Sequence, residues 1–380
     1  MRTFFKLLLI IILAFITLTF AKAKDPVRAK NGMVVSASDI ASMVGVGILE
    51  KGGNAVDAAV AVGFALAVTY PQAGNIGGGG FMVIHLENGK STTIDYREKA
   101  PSSAFRDMYL DEKGEYDMSK STQGWGASGV PGSTAGLLYA LDQYGTMDIP
   151  EVIEPAIKLA ENGFPIDYHF ARTLNHYKNT FSKYESTKKI FTSEFGNFSD
   201  GDLFIQTDLA HTLKLISEFG KEGFYEGPVA KLISEQSKEN GGYISLEDLA
   251  NYEPIEREPG EYRGYKIVSM GPPSSGGIAL IEILNALENF NIEKKDWGSS
   301  KYIHIVTEIF KYVYADRSKH LGDEDFYPVP KEWLLSKERG KDIASKVSTL
   351  AKPSIEIYPG TPLPEESKQT THFNVVDSKG

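Results

Sequence analysis

Two stretches of small apolar side chains, residues 34–49 and 55–68, open the hydrophobic pattern of this chain. Both are rich in Ala, Val and Gly and of helical length, and small side chains predict tight, buried helix packing. Gly52-Gly53 separates them, and Asn54 is a suitable N-cap for the second. Residues 81–86 and 91–96 then read as two strands joined at Asn88-Gly89, a strong hairpin-turn signal. Further helices are predicted at 131–144, 150–162, 207–219, 228–239, 278–289 and 299–318, with another strand at 266–270. A last strand, 371–376, follows Pro353, Pro359, Pro362 and Pro364, and 348–369 is the only linker-like segment. The chain has no internal repeat or low-complexity block. Helices, a hairpin, many helices and a closing strand predict a layered α+β fold.

The N-terminus changes the picture first. Arg2 and Lys6 precede an apolar stretch, 7–20, and Ala21-Lys22-Ala23 is a small-x-small cleavage site, so residues 1–23 read as a secretory signal peptide. An uncleaved anchor would need about 20 apolar residues, and this stretch is shorter. The product is expected to be soluble and secreted or periplasmic, with no membrane attachment after cleavage. Removing Arg2, Lys6 and Lys22 leaves 37 basic against 50 acidic residues, a net charge of −13. That argues against nucleic acid as a partner, because phosphate binding needs a basic face. The chain has no cysteine, which excludes disulfides, thiolate zinc sites and cysteine nucleophiles. Its length suits one large domain or two small ones.

Candidate chemistry gathers at Gln369-Thr370-Thr371-His372-Phe373. A threonine hydroxyl is a poor nucleophile unless a base adjoins it, and cutting the chain before Thr370 would free its own α-amine for that role. Such an amine titrates near ~8, so part of it is neutral at neutral pH. Thr-Thr pairs are also common on edge strands, and the two residues alone do not decide between these readings. Arg97, at the end of the second hairpin strand, carries a planar fork that can hold a carboxylate bidentately. The alternative for Arg97 is an ion pair with Asp95 or Glu98.

Other constellations reduce to simpler roles. The run 77–80 is all glycine but lacks a following Lys-Ser/Thr and a helix, so close backbone packing before the hairpin is expected rather than phosphate binding. Ser274-Ser275 lacks a Gly-x-Ser-x-Gly elbow, and helix capping is the expected role. His304 and Glu308 share a helix face without a third ligand, and Asp323, Glu324 and Asp325 lack calcium-loop spacing. No metal and no cofactor are expected. Asn197-Phe198-Ser199 is a glycosylation sequon.

Several short segments occur in a fixed order: Gly53-Asn54-Ala55-Val56-Asp57-Ala58-Ala59, then Pro71-Gln72-Ala73-Gly74-Asn75-Ile76 running into the glycines, then Asp95-Tyr96-Arg97-Glu98-Lys99-Ala100-Pro101. Gly129-Val130-Pro131-Gly132, Pro272-Pro273-Ser274-Ser275-Gly276-Gly277 and Tyr314-Ala315-Asp316-Arg317 follow before Gln369. Together they resemble the γ-glutamyltranspeptidase (glutathione hydrolase) family, in particular its bacterial secreted members, over residues 27–380. The resemblance implies the four-layer αββα sandwich of N-terminal-nucleophile hydrolases. It implies a proenzyme that self-cleaves between Gln369 and Thr370. Residues 24–369 would then belong to the large subunit and 370–380 would start the small one. Thr370 would attack the γ-glutamyl amide of glutathione or related compounds. Water would resolve the acyl-enzyme by hydrolysis, or an acceptor amino acid or peptide by transpeptidation. Arg97 would grip the donor α-carboxylate.

Two departures stand out. Asn374 lies where the family commonly has Ser or Thr. The sequence reaches Gly380 ten residues after Thr370, whereas members continue with a small subunit from the same precursor. That part would supply a second threonine, groups for the γ-glutamyl amine and carboxylate, and the oxyanion glycines, so this chain alone is expected to stay uncut and inactive. The alternatives are a sister acylase on the same scaffold (cephalosporin acylase or poly-γ-glutamate processing) and a catalytically silent exported fragment or binding protein.

Overall fold

A computed structural model of the chain describes residues 26–194, 196–257, 260–262, 265–358 and 371–380. The expected signal segment 1–23 and the pair Gln369 and Thr370 lie outside the described residues.

The chain enters through a short strand, β1 (Met33–Val35), and helix α1 (Asp39–Glu50). A helix from residue 34 was expected from the apolar run; Ser38 stops it by capping α1 on the Ala41 N–H. The freed residues pair instead with the far end of the sequence. Strand β5 (Asn374–Val376) lies antiparallel to β1 in the register Met33↔Val376 and Val35↔Asn374. The closing strand therefore starts three residues later than the 371–376 pattern suggests.

Helix α2 (Ala55–Thr69) is the centre of the main core, with 13 of its 15 residues buried. Its small side chains permit the close helix packing that the composition predicts. A Cβ at Gly45 of α1 would sit 2.6 Å from Val62 Cγ2 on α2, too near for any larger residue. Helices α3 (Ser133–Tyr144), α4 (Ile149–Asn162) and α5 (Thr207–Phe219) contribute Leu137, Leu141, Ile153 and Leu213 to the same core.

The hairpin forms as the sequence predicts, from β2 (Phe81–His85) and β3 (Ser91–Asp95), with Gly89 at φ +82° in the turn. A third strand, β4 (Ile255–Arg257), adds antiparallel to β3. A smaller helical core is built by α6 (Gly276–Leu287), α7 (Ser300–His320) and α8 (Lys337–Lys346), around Ala286, Ile305, Ile309, Val313 and Ile343. Helix α8, and helices Tyr168–Phe181 and Glu185–Phe191, were not legible as apolar periodicity. The reason is visible in α8, which buries only Arg339, Gly340 and Ile343.

Candidate active site

Arg97 follows directly from β3, and its backbone is held on both sides. Its N–H donates to Asp95 Oδ1 at 3.1 Å, and its carbonyl accepts from Tyr252 Oη at 2.7 Å. One residue earlier, Tyr96 extends the hairpin ladder by exchanging backbone bonds with Gly80 at 3.0 and 3.2 Å. The glycine run packs against this segment as expected. A Cβ on Gly79 would meet Glu98 N at 2.5 Å and Tyr96 O at 2.6 Å, both backbone atoms. From the other side, a Cβ on Gly132 would lie 2.0 Å from Tyr96 O, and one on Gly136 2.1 Å from Tyr96 Cγ. The Gly132 and Ser133 N–H groups both donate to Gly78 O, at 2.7 and 3.0 Å.

Three tyrosines complete the support. Tyr225 Oη donates to Pro131 O at 2.8 Å, and its ring stacks on Tyr252 with centroids 5.7 Å apart. Burial pushes the Tyr96 hydroxyl up to about 12 and those of Tyr225 and Tyr252 further still. All three therefore stay neutral, and Tyr225 and Tyr252 remain donors, across the working range. The ion-pair alternative for Arg97 fails on geometry. Asp95 accepts Arg97's backbone N–H, and among the described residues the guanidinium pairs with no carboxylate. The side chain is exposed and lines an open cleft of about 1880 Å3.

Thr371, His372 and Phe373 line the same cleft. Thr371 is the described residue next to Thr370, and its buried Oγ1 has no hydrogen-bond partner. His372 is exposed, whereas Phe373 packs on Ala41, Val62, Ala65 and Leu66. Asn374 is exposed in β5, opposite Val35, so a Ser or Thr, the residue expected there, would meet no packing constraint either. Beyond the strand, Asp377 Oδ2 accepts the backbone N–H of Ala55, the first residue of α2, at 3.1 Å.

The capping role expected of Ser274-Ser275 is divided. Ser274 Oγ accepts from Gly276 N at 3.3 Å, while Ser275, the N-cap of α6, makes no side-chain cap bond. Its Oγ accepts instead from Arg317 Nε at 2.8 Å. Asp316, the neighbour of Arg317, turns inward to Arg339, whose Nε is 2.7 Å from its Oδ2. Arg339 also binds Asp342 and lies 3.5 Å from Glu282 Oε1, too far to satisfy that buried oxygen. Burial, then the hydrogen bond and charge of Asp316, raise the Glu282 carboxyl well above its ordinary range. The sequence marks Asp316 only within the 314–317 motif, and its link to Arg339 and Glu282 is not legible locally, because the members come from three helices.

His304 and Glu308 have structural roles. His304 Nε2 contacts Ser348 O at 2.7 Å, and Glu308 Oε1 takes Lys311 Nζ at 2.6 Å. Among the described residues no group of three or more His, Cys, Asp or Glu could hold a metal ion.

Helices packed on small sheets, with the segment 371–373 and Arg97 on one cleft, give the αββα fold class of the N-terminal-nucleophile hydrolases. The crystal structure of Helicobacter pylori γ-glutamyltranspeptidase superposes with a TM-score of 0.85 at 48% identity, over 91% of this chain and 100% of that chain. The crystal structure of cephalosporin acylase from Bacillus halodurans gives 0.81 at 26% identity, over 95% and 66% respectively. The γ-glutamyltranspeptidase family profile matches residues 41–380, and this chain belongs to that family. A glutathione hydrolase proenzyme of Escherichia coli K12 is 51% identical over 359 residues, which is 93% of this chain and 62% of that relative. The chain thus spans less than two thirds of that relative's length.

Proposed function

We propose that residues 24–369 are the large-subunit part, and residues 370–380 the opening of the small subunit, of a secreted proenzyme acting on γ-glutamyl amides. In maturation, Thr370 Oγ attacks the carbonyl carbon of Gln369 and the peptide nitrogen leaves as the free α-amine of Thr370. Water then hydrolyses the resulting ester, which leaves Gln369 as a carboxylate. In turnover, that α-amine takes the proton of the Thr370 hydroxyl as Oγ attacks the γ-glutamyl carbonyl. The departing amine takes the proton. The acyl-enzyme is resolved by water, or by the amino group of an acceptor amino acid or peptide. Glutathione is the donor that best fits family membership.

One observation carries this reading. Arg97, with no ion-pair partner among the described residues, lines the same cleft as Thr371, the residue after the proposed nucleophile. A guanidinium without a carboxylate partner among the described residues, on the cleft that Thr371 also lines, suits an anionic donor group. The remaining groups of the site would come from the rest of the small subunit. Export follows from the N-terminal pattern, and among the described residues no helix is long and apolar enough to cross a membrane.

The test is to express the full-length precursor and its Thr370→Ala variant. The wild type should split into two chains, the smaller beginning at Thr370 by N-terminal sequencing. The variant should remain a single inactive chain. If it still splits at that bond, Thr370 is not the nucleophile of cleavage. Hydrolysis of an acyl-cephalosporin but not of a γ-glutamyl anilide would move the assignment to the sister acylases.

A further inference from the structure

The first turn of a helix leaves backbone N–H groups without intrahelical acceptors. In α2, Asn54 Oδ1 accepts from Val56 N at 2.8 Å and Asp57 N at 3.0 Å, and Asn54 O accepts from Ala58 N at 3.1 Å. The Ala55 N–H remains, and it donates to Asp377, 322 positions away in sequence. The other oxygen of the same carboxylate accepts from Lys379 N at 3.0 Å. Asp377 therefore completes the cap of the helix that is most deeply buried among the described residues. A carboxylate is also the charge that a helix N-terminus favours.

That cap is rigid. Asn54 Nδ2 donates to Tyr144 O at 2.7 Å, and Asp57 takes the backbone N–H and hydroxyl of Thr146, at 2.8 and 2.6 Å. By contrast, β5 has only three paired residues, and so short a ladder specifies its register weakly by itself. Asp377 follows β5 directly, and Phe373, before β5, is seated on the core. The segment 373–377 is thus held at both ends.

We propose that Asp377 is a positioning residue, the anchor that fixes the strand leading from Thr370 onto the core. This inference rests on the reading of Thr370 given above. Once the Gln369–Thr370 bond is cut, Thr370 has no covalent link to the large subunit. Its place is then set by the docking of the segment that follows it. Displacing a reacting group by about 1 Å can cost about 10²-fold in rate.

The experiment compares self-processed wild type with Asp377→Ala, Asp377→Asn and Asn54→Ala. In Asp377→Ala, kcat for a γ-glutamyl anilide should fall about tenfold or more, with KM within about twofold. Asp377→Asn keeps an oxygen acceptor and should recover most of the loss. Asn54→Ala removes two cap bonds from the same helix, and the Nδ2 bond to Tyr144 O, without touching the strand. It should lower Tm while leaving kcat within about twofold. If Asp377→Ala stalls processing, the rate of precursor cleavage replaces kcat, with the same order of variants expected. Unchanged kcat and cleavage in Asp377→Ala would overturn the proposal. So would a kcat in Asn54→Ala that falls in step with its Tm, since Asp377 would then be a stability cap alone. A wild type that cleaves itself yet ignores γ-glutamyl amides would sink the functional reading instead, and the cleavage series would still decide Asp377.

Discussion

Tyr252 Oη donates a 2.7 Å hydrogen bond to the carbonyl oxygen of Arg97, from 155 residues further along the chain. The bond holds the backbone of Arg97 without engaging its guanidinium, which lines the cleft and has no carboxylate partner among the described residues. Tyr252 is almost fully buried and its hydroxyl is held neutral by burial, so the donor persists across the pH range of the protein. The position of the arginine and the availability of its side chain thus have separate causes.

That separation predicts how Arg97→Lys behaves in the completed enzyme. Lysine keeps the charge but loses the planar fork, so KM for γ-glutamyl donors should rise by about tenfold or more while kcat changes less. Tm should stay within a degree or two, since a surface substitution that removes no side-chain bond costs at most about 0.5 kcal/mol. Self-cleavage should survive, because it involves no donor carboxylate. Unchanged donor KM would remove Arg97 from the site.

Gly79 and Gly47 form a matched pair of opposite sign. A Cβ at Gly79 would strike backbone atoms of Tyr96 and Glu98, so Gly79→Ala should destabilise by about 1–3 kcal/mol and shift the Arg97 segment. A Cβ at Gly47, within α1, meets nothing within 4 Å. Gly47→Ala should therefore stabilise by about 0.5–1 kcal/mol through helix propensity. Urea unfolding of both variants measures this directly, and equal effects would contradict the packing described for the glycine run.

Glu282 makes stability pH-dependent. Its folded pKa lies above the ordinary carboxyl value of 4.5, so the protonated form is favoured by folding. That contribution is complete below the unfolded pKa and is lost as pH rises through the folded one. Between about pH 5 and about pH 8 the unfolding midpoint should decline, and Glu282→Gln, neutral throughout, should flatten the decline. An identical slope in the variant would show that Glu282 ionises normally in the fold.

The rate of the completed enzyme should rise with pH through a group near or somewhat below ~8, the α-amine of Thr370. Chelators should leave it unchanged. A chelator-sensitive rate restored by added metal would point to a metal-bound water as nucleophile.

Much was legible locally. The buried helix at 55–69 with its Asn54 cap, the hairpin at Asn88-Gly89 and the close-packed glycines all depend on neighbours a few residues away. The ordered set of short motifs was enough to name the family. Helix α8 was hidden because its buried face is an arginine, a glycine and one isoleucine. Strand β1 was hidden because the partner that makes it a strand lies at the other end of the chain.

What the sequence by itself determined, then, was the identity of groups able to do chemistry: a threonine pair, an arginine fork and the turns around them. Only the tertiary structure decided which groups are free and which are engaged. It left Arg97 without a carboxylate partner among the described residues, turned Ser275 toward Arg317, buried Glu282 against Asp316, and joined Asp377 to Ala55. The physical reason is that a side chain's availability depends on every acceptor, donor and charge within a few ångströms. In this fold one such neighbour, the Ala55 N–H bound by Asp377, is 322 residues away in sequence.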